Sequence, residues 1–399
     1  MKRLRPMLLV CVVDVLGFGV LIPLVPYMAD RFGATPALIT PILGSYSLCQ
    51  LIAAPFWGRL SDRYGRRPIL MTSLAGACIS YVILGFARNL EWLVVSRMLA
   101  GFMAGNLAAA FAYASDVSKP EDRAKALGLV GASIGVGFML GPAIGGLLAG
   151  NRLHQASFTA PAVLSACLSL LALALVVWML PESHPVEDRV PHSEKRQRGA
   201  ALRLLREKPG LRLLTGAAFL VTFSQSTLES IFAIWAWTRF NFGPRTVGLL
   251  LFCLALVAVS MQAGFVRKLV PRFGEPRVAA AGVMSYVLGL AIVAAGGSLW
   301  PTLAGLVLCG LGAGAFNPSA SSLASRQASA RNRGAVMGTY QASASLARVI
   351  GPFVSGLLFA TFGRNAPFLI GAAVTLPAAW FVLGRAALPA ADEALGRSG

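Results

Sequence analysis

An all-α membrane protein of twelve transmembrane helices, folded as two pseudo-symmetric six-helix bundles around a central cavity, is predicted by three observations. The composition is 56% hydrophobic and only 13% charged, with 42 glycines among 399 residues, which suits repeated bilayer spans and not a water-soluble core. The apolar residues come in long unbroken runs near the ~20 residues that a helix needs to cross a hydrocarbon core of about 30 Å, whereas strands of a membrane barrel would alternate. The third observation is a repeat: punctuation in the first half of the chain recurs in the second at a single offset.

The first apolar run, 7–28, follows a basic start (Lys2, Arg3, Arg5) and imitates a secretion signal. No A-x-A cleavage site comes after it, so it is expected to remain as an uncleaved first helix. The second run, 37–57, leads into GRLSDRYGRR at 58–67, where five of ten residues are charged. Runs three to six follow at 68–87, 91–114, 125–149 and 158–180. The polar segment at 181–210 is then a solvated linker with a short amphipathic helix expected over about 200–208. Six more runs lie at 211–235, 245–266, 277–297, 299–323, 333–361 and 366–386. The expected domains are therefore an N-terminal bundle (1–180), the linker (181–210) and a C-terminal bundle (211–399).

Lys and Arg set the orientation, because basic short loops stay on the cytoplasmic side. Seventeen fall in the N-terminus and the loops after even-numbered spans, among them Arg59, Lys119, Arg267 and Arg326, against six after odd-numbered spans outside the linker. Both termini and the 58–67 stretch are thus expected in the cytoplasm.

The repeat supports two homologous halves. Arg63-Tyr64-Gly65 recurs as Arg272-Phe273-Gly274, 209 residues on; Arg123 with Gly128 recurs as Arg333 with Gly338, and Gly141-Pro142 as Gly351-Pro352, each 210 residues on.

Other classes are excluded by what is missing. The formal charge of +19 sits in bursts between apolar runs and not on a basic soluble face, so no nucleic-acid partner is expected. The six cysteines each lie alone in an apolar run, and His154, His184 and His192 lie outside the runs, which gives no metal-ligand spacing. No phosphate-binding G-x-x-x-x-G-K-[ST] occurs. Neither metal nor cofactor is expected, and with no convergent nucleophile and base an enzyme is not expected either; a sensor would need a signalling domain that the linker is too short to hold.

Charges inside the spans mark the expected site. Asp14 in span 1 and Glu229 in span 7 each cost ~2.5 kcal/mol or more at that depth and normally face a cavity or a partner; Arg97 in span 4 and Arg348 in span 11 are available to pair with them. Asp14 with Phe18, and Gln225 with Glu229 and Phe232, lie along single helical faces. Tyr46, Gln50, Asn106, Tyr113, Trp235, Asn317 and Gln341 complete the expected cavity lining. Around 58–67, Asp62 and Arg66 are four residues apart, as are Arg59 and Arg63, and can pair along one helical face; Asp116, Glu121, Asp122 and Arg123 are expected partners. In span 5, Gly137, Gly141 and Gly145 recur every four residues, a groove for close approach of another helix, and Pro142 removes a backbone donor.

These motifs carry a family resemblance. Gly58-Arg59-Leu60-Ser61-Asp62-Arg63-Tyr64-Gly65-Arg66-Arg67 resembles the G-x-L-x-D-R-x-G-R-[RK] signature of the major facilitator superfamily. Gly137-x-x-x-Gly141-Pro142-x-x-Gly145-Gly146 is similar to the span-5 signature of its proton-driven antiporters. Leu16-Gly17 through Pro23-Leu24-Val25-Pro26 is similar to the span-1 pattern of the twelve-span drug/proton antiporters, and Arg97 fits their fourth motif. The resemblance is strongest to the tetracycline/proton antiporters and related multidrug exporters. It implies a proton-driven antiporter exporting small-molecule hydrophobic or cationic drugs across a bacterial inner membrane, lipid-embedded and expected to be monomeric, with Gly58, Asp62, Arg63, Gly65, Arg66, Arg67, Asp116 and Arg123 as a gating latch and Arg97 in proton transfer; Asp14 and Glu229, for their depth in the spans, are expected in proton coupling or substrate-cation binding. Two departures count against tetracycline itself: Ile79-Ser80-Tyr81 stands where those proteins carry L-D-Y, and Met103-Ala104-Gly105-Asn106 where they carry T-G-A-T. Export of a metabolite such as a sugar or amino-acid derivative is the alternative.

Overall fold

The computed structural model describes residues 4–119, 122–151, 156–183, 205–328 and 333–386. Fifteen helices are assigned within them: α1 (Leu4–Leu21), α2 (Val25–Arg31), α3 (Pro36–Tyr64), α4 (Arg66–Gly85), α5 (Leu90–Met103), α6 (Asn106–Asp116), α7 (Arg123–Ala149), α8 (Thr159–Met179), α9 (Pro209–Phe240), α10 (Pro244–Ser260), α11 (Val266–Phe273), α12 (Glu275–Ala295), α13 (Leu299–Arg326), α14 (Arg333–Phe362) and α15 (Ala366–Ala386). Twelve stretches of them are long and apolar enough to cross a membrane. The first joins α1 to α2, the fourth α5 to α6 and the eighth α10 to α11 through a π-helical turn, Met261–Phe265.

Each internal break has a local cause. Pro26 stands in the first turn of α2, where its missing N–H costs nothing, and the turn before it is closed by Ile22 N–H to Gly19 O and Leu24 N–H to Leu21 O. The break at 104–105 in span 4 frees backbone groups that lipid cannot satisfy. Ser73 of span 3 takes both sides of it: its hydroxyl donates to Met103 O and accepts from Asn106 N–H. Trp57 of span 2 adds an indole N–H to Phe102 O at 2.5 Å.

Spans 2 and 8 run furthest past their apolar runs, by seven residues each. Span 2 stays helical to Tyr64 and span 8 to Phe273, so the charged stretch at 58–67, expected in the loop between spans 2 and 3, is helix on both sides of a single-residue break. That residue is Gly65, at φ 102°, a conformation in which a Cβ is strained. Gly274 does the same at φ 80° before α12, 209 residues on.

The chain forms two compact units, residues 1–192 with 230–255, and 193–229 with 256–399. The 230–255 segment belongs to the first because the ends of spans 7 and 8 are stitched to spans 1 and 5: Tyr27 donates to Phe242 O at 2.8 Å, Arg245 N–H to Gly150 O at 3.1 Å, and Thr246 Oγ1 to Asn151 Oδ1 at 3.1 Å. The core of the first unit includes Trp57, Leu70, Leu74, Ala110, Tyr113 and Val176; that of the second includes Leu214, Val221, Val283, Phe316 and Val382. In the second unit α12 and α13 meet along glycines: a Cβ on Gly289 would lie 2.6 Å from Gly305 O, and one on Gly312 2.6 Å from Gly282 O. The expected linker helix lies outside the described residues up to 204 and is helical at 205–207; Glu121, Lys2, Arg3 and the three histidines also lie outside them.

Candidate functional site

Asp14 is buried in α1 and accepts a hydrogen bond from the Asn106 side-chain amide. The break in span 4 is what delivers that amide, since Asn106 begins α6 where Ser73 holds its backbone N–H. No ion pair within 4.0 Å involves Asp14 among the described residues. A cavity of about 10 Å³, lined by Asp14, Asn106, Cys11 and Leu74 among others, has room for one water. Tyr81 of span 3 is buried within electrostatic reach of Asp14, Arg97 and Tyr46.

Arg97 lies in the same unit, 3% exposed, and its Nε and Nη2 have no hydrogen-bond partner. The unit therefore encloses an acid held by a neutral amide and a guanidinium with unused donors, with Tyr81 between their fields. Phe18 packs on Tyr46 with ring centroids 4.8 Å apart and edge-on to Phe138 at 5.8 Å. Gln50, half-buried, follows Tyr46 by one turn.

The charges at the basic end form a network within the first unit. Arg66 donates to Asp62 at 2.5 Å, Ser61 at 3.0 Å and Asp116 at 3.1 Å. Glu182, just past span 6, accepts from the backbone N–H of Arg66 at 2.8 Å and of Arg67 at 3.1 Å, so a carboxylate caps the otherwise unsatisfied first turn of α4. Arg67 reaches Val177 O at 2.6 Å, and Ser183 reaches Asp116 at 3.3 Å. Arg63 lies exposed over the Tyr64 ring, Gly58 faces open space, and Arg123 is exposed in the first turn of α7.

The span-5 glycines serve two neighbours. A Cβ on Gly137 would come within 2.8 Å of Leu16 N, one on Gly141 within 2.6 Å of Gly19, and one on Gly145 into Val20 O. Gly146 instead faces span 8, where a Cβ would lie 2.6 Å from Pro244 O, and Pro142 O abuts Gly248.

Other residues singled out by the sequence fall elsewhere. Tyr113 is fully buried in the first core. Phe232 and Trp235 are fully buried and stacked at 5.9 Å, with Phe240 edge-on to Trp235 at 5.4 Å. Asn317 is exposed in span 10. In the second unit Glu229, Arg348 and Gln341 have accessible side chains, and the Gln225 amide nitrogen is buried without a partner. Sequence reasoning did not single out Ser73, Glu182, Glu275 or Tyr286 as functional. A lone Ser or Tyr in an apolar run, or an acid beside a span end, is a faint signal, and only the partners make it meaningful.

Buried charges within twelve helices long enough to cross a membrane describe a multi-pass membrane protein, and the comparisons with known proteins give its class, a transporter and not an enzyme. The family model described as Major Facilitator Superfamily matches residues 7–262 and 214–397. The chain is 30% identical over 369 residues to the tetracycline resistance protein, class C, of Escherichia coli, covering 91% of this chain and 92% of that protein. It is 28% identical to multidrug resistance protein 2 of Bacillus subtilis (strain 168), covering 90% and 89%. The crystal structure of the human organic anion transporter MFSD10 (TETRAN) superposes with a TM-score of 0.72 at 24% identity, covering 96% of this chain and 99% of that one. The chain belongs to the major facilitator superfamily.

Proposed function

We propose that this transporter is a proton-coupled antiporter that exports hydrophobic or cationic drugs across a bacterial inner membrane, with both termini in the cytoplasm. One observation carries the coupling: Asp14 is a buried carboxylate inside a span whose hydrogen-bond partner is the neutral amide of Asn106 and which has no ion pair among the described residues. Such an acid keeps its charge poorly without water, so binding a proton relieves it. Arg97, with two unused donors in the same unit, supplies the field that expels that proton when the local geometry changes. Inward proton movement at an inside-negative potential yields about 2.3 kcal/mol per charge per 100 mV, which drives the cargo the other way.

The cargo reading leans on the similarity to proteins named for tetracycline and multidrug resistance and on the aromatic wall of Phe18, Tyr46 and Phe138. The orientation leans on the excess of Lys and Arg in the loops after even-numbered spans. Arg66, bonded to Asp62, Asp116 and Ser61, holds the cytoplasmic ends of spans 2, 3 and 4 as one body, as a gate needs.

Proteoliposomes with an imposed pH gradient test the proposal by following ethidium and tetracycline. The parent is expected to move at least ethidium only when the gradient is present, and Asp14→Asn to abolish that dependence while still binding dye. Parental, gradient-driven movement by Asp14→Asn would sink the role of Asp14, and no movement of either compound by folded parent would sink drug export.

A further inference from the structure

Spans 7 and 11 lie side by side in the second unit. Ser226 Oγ donates to Arg348 O at 3.2 Å and Ser343 Oγ to Thr215 O at 3.0 Å. Gly351 allows the approach, because a Cβ there would lie 2.9 Å from Ser226 Cβ. These bonds put residues 226 and 348 at one level, so Glu229, three residues past Ser226, and the Arg348 side chain are opposite charges within a turn of each other.

Their state is unusual for buried depth. Span 7 is 78% buried over its apolar window, yet the Glu229 side chain is accessible, as is that of Arg348. Neither makes an ion pair within 4.0 Å or a side-chain hydrogen bond among the described residues. Two opposite charges in a membrane interior normally close on each other or face water, since hydrocarbon penalises each by kilocalories. Here they stay apart and accessible, in an interior that also carries unused polar groups. Gln225, one turn before Glu229, has its amide nitrogen buried without a partner, and the buried Tyr286 hydroxyl, within electrostatic reach of Glu229, has none either. Gln341, two turns before Arg348, is accessible in the same span.

We propose that Glu229 and Arg348 form a two-point receptor for a zwitterionic cargo, Glu229 taking its ammonium and Arg348 its acidic group. This rests on the reading of the chain as an exporter and refines it: the cationic molecules carried also bear an acid. A cargo with both charges satisfies both residues at once, whereas a simple cation leaves the Arg348 guanidinium without an anion.

The test uses one scaffold with its charges removed singly. Nα-dansyl-lysine is the zwitterion, its methyl ester the cation and its Nε-acetyl derivative the anion. Binding to the detergent-purified full chain is read by dansyl fluorescence, and gradient-driven movement is read in proteoliposomes alongside ethidium. The parent is expected to bind the zwitterion roughly ten- to a hundredfold more tightly than either derivative, the range that one charged hydrogen bond commands. Glu229→Gln should erase the preference over the acetylated anion, and Arg348→Gln the preference over the ester, with thermal melting confirming that each variant is folded. Equal binding of the three probes by the parent, equal weakening of all three by both variants, or no binding by folded parent would overturn the receptor. If the charge discrimination is seen but neither ethidium nor any probe moves with the gradient, the exporter reading fails while the receptor stands.

Discussion

Glu275 accepts a hydrogen bond from Arg326 at 3.1 Å, and it does so where Arg66 donates to Asp116 at 3.1 Å in the first half. Residues 66 and 275 are 209 apart and 116 and 326 are 210 apart, so one repeated pair is present twice with its charges exchanged. The exchange has a physical counterpart at the helix ends. Arg66 begins α4 with a cation, the wrong sign for a helix N-terminus, and Glu182 supplies the missing carboxylate from span 6. Glu275 begins α12 with the acid built in, and Ser322 adds a 2.7 Å bond to it.

The two pairs should differ in worth. The Arg66 and Asp116 side chains are 11% and 26% exposed, whereas the Arg326 pair joins a 71% exposed guanidinium to a 9% exposed Glu275 that also keeps Ser322, and a pair with a solvated member contributes about 0–1 kcal/mol. Asp116→Asn is therefore expected to lower the melting temperature clearly more than Arg326→Gln, measured in the same detergent. Equal shifts would mean that burial does not separate the pairs.

Glu182 caps two backbone donors with its two carboxylate oxygens. Glu182→Ala should cost about 1 kcal/mol, the usual effect of losing a helix cap, and Glu182→Gln less, because its amide keeps one acceptor. Chemical unfolding or thermal melting ranks the three proteins, and a Glu182→Ala variant as stable as the parent would remove the cap from the account.

Span 5 contains its own control for the glycine seam. Gly145→Ala drives a methyl into Val20 O, whereas Gly131→Ala meets nothing within 4 Å. The first should abolish folding or transport; the second should be silent or slightly stabilising, as alanine is the better helix former by about 1 kcal/mol. Expression level and dye movement read the contrast.

Ser73 bridges the break that places Asn106 at Asp14. Ser73→Ala leaves Asn106 N–H without its partner and Met103 O with the Gly105 N–H alone, at about 1–3 kcal/mol for a buried unsatisfied group, and should loosen the amide that holds the acid. Transport should fall more than stability, and Ser73→Thr, which keeps the hydroxyl, should restore part of it. An unaffected Ser73→Ala would show that Asn106 is positioned by packing alone.

Much of the fold was legible because a bilayer imposes length and polarity rules that a one-dimensional pattern can express. Twelve apolar runs gave twelve spans, and the repeated Arg-aromatic-Gly punctuation falls at matching helix breaks, with a positive-φ glycine at both Gly65 and Gly274. The charged stretch at 58–67 was placed between spans 2 and 3 with its ion pairs along one helical face, and it is helix on both sides of Gly65. Within the site, Asp14, Glu229, Arg97 and Arg348 stood out because charge in an apolar run is costly and needs a cavity or a partner. Phe232 and Trp235 share helical faces with polar residues, but periodicity does not say which face meets a neighbour, and both are buried in an aromatic stack.

By itself the sequence determined the solvent, the number of crossings and the residues whose burial is costly, since each depends on composition over a window of about twenty residues. Tertiary structure alone decided which partner each costly group received: Asn106 for Asp14, Glu182 for the start of α4, Arg326 for Glu275, and no ion pair within 4 Å among the described residues for Glu229 and Arg348. Those pairings join residues separated by up to 116 positions, Arg66 and Glu182 being the most distant of them, and they form only where helix breaks and glycine seams fix the distance between backbones. Helical periodicity carries no record of that distance.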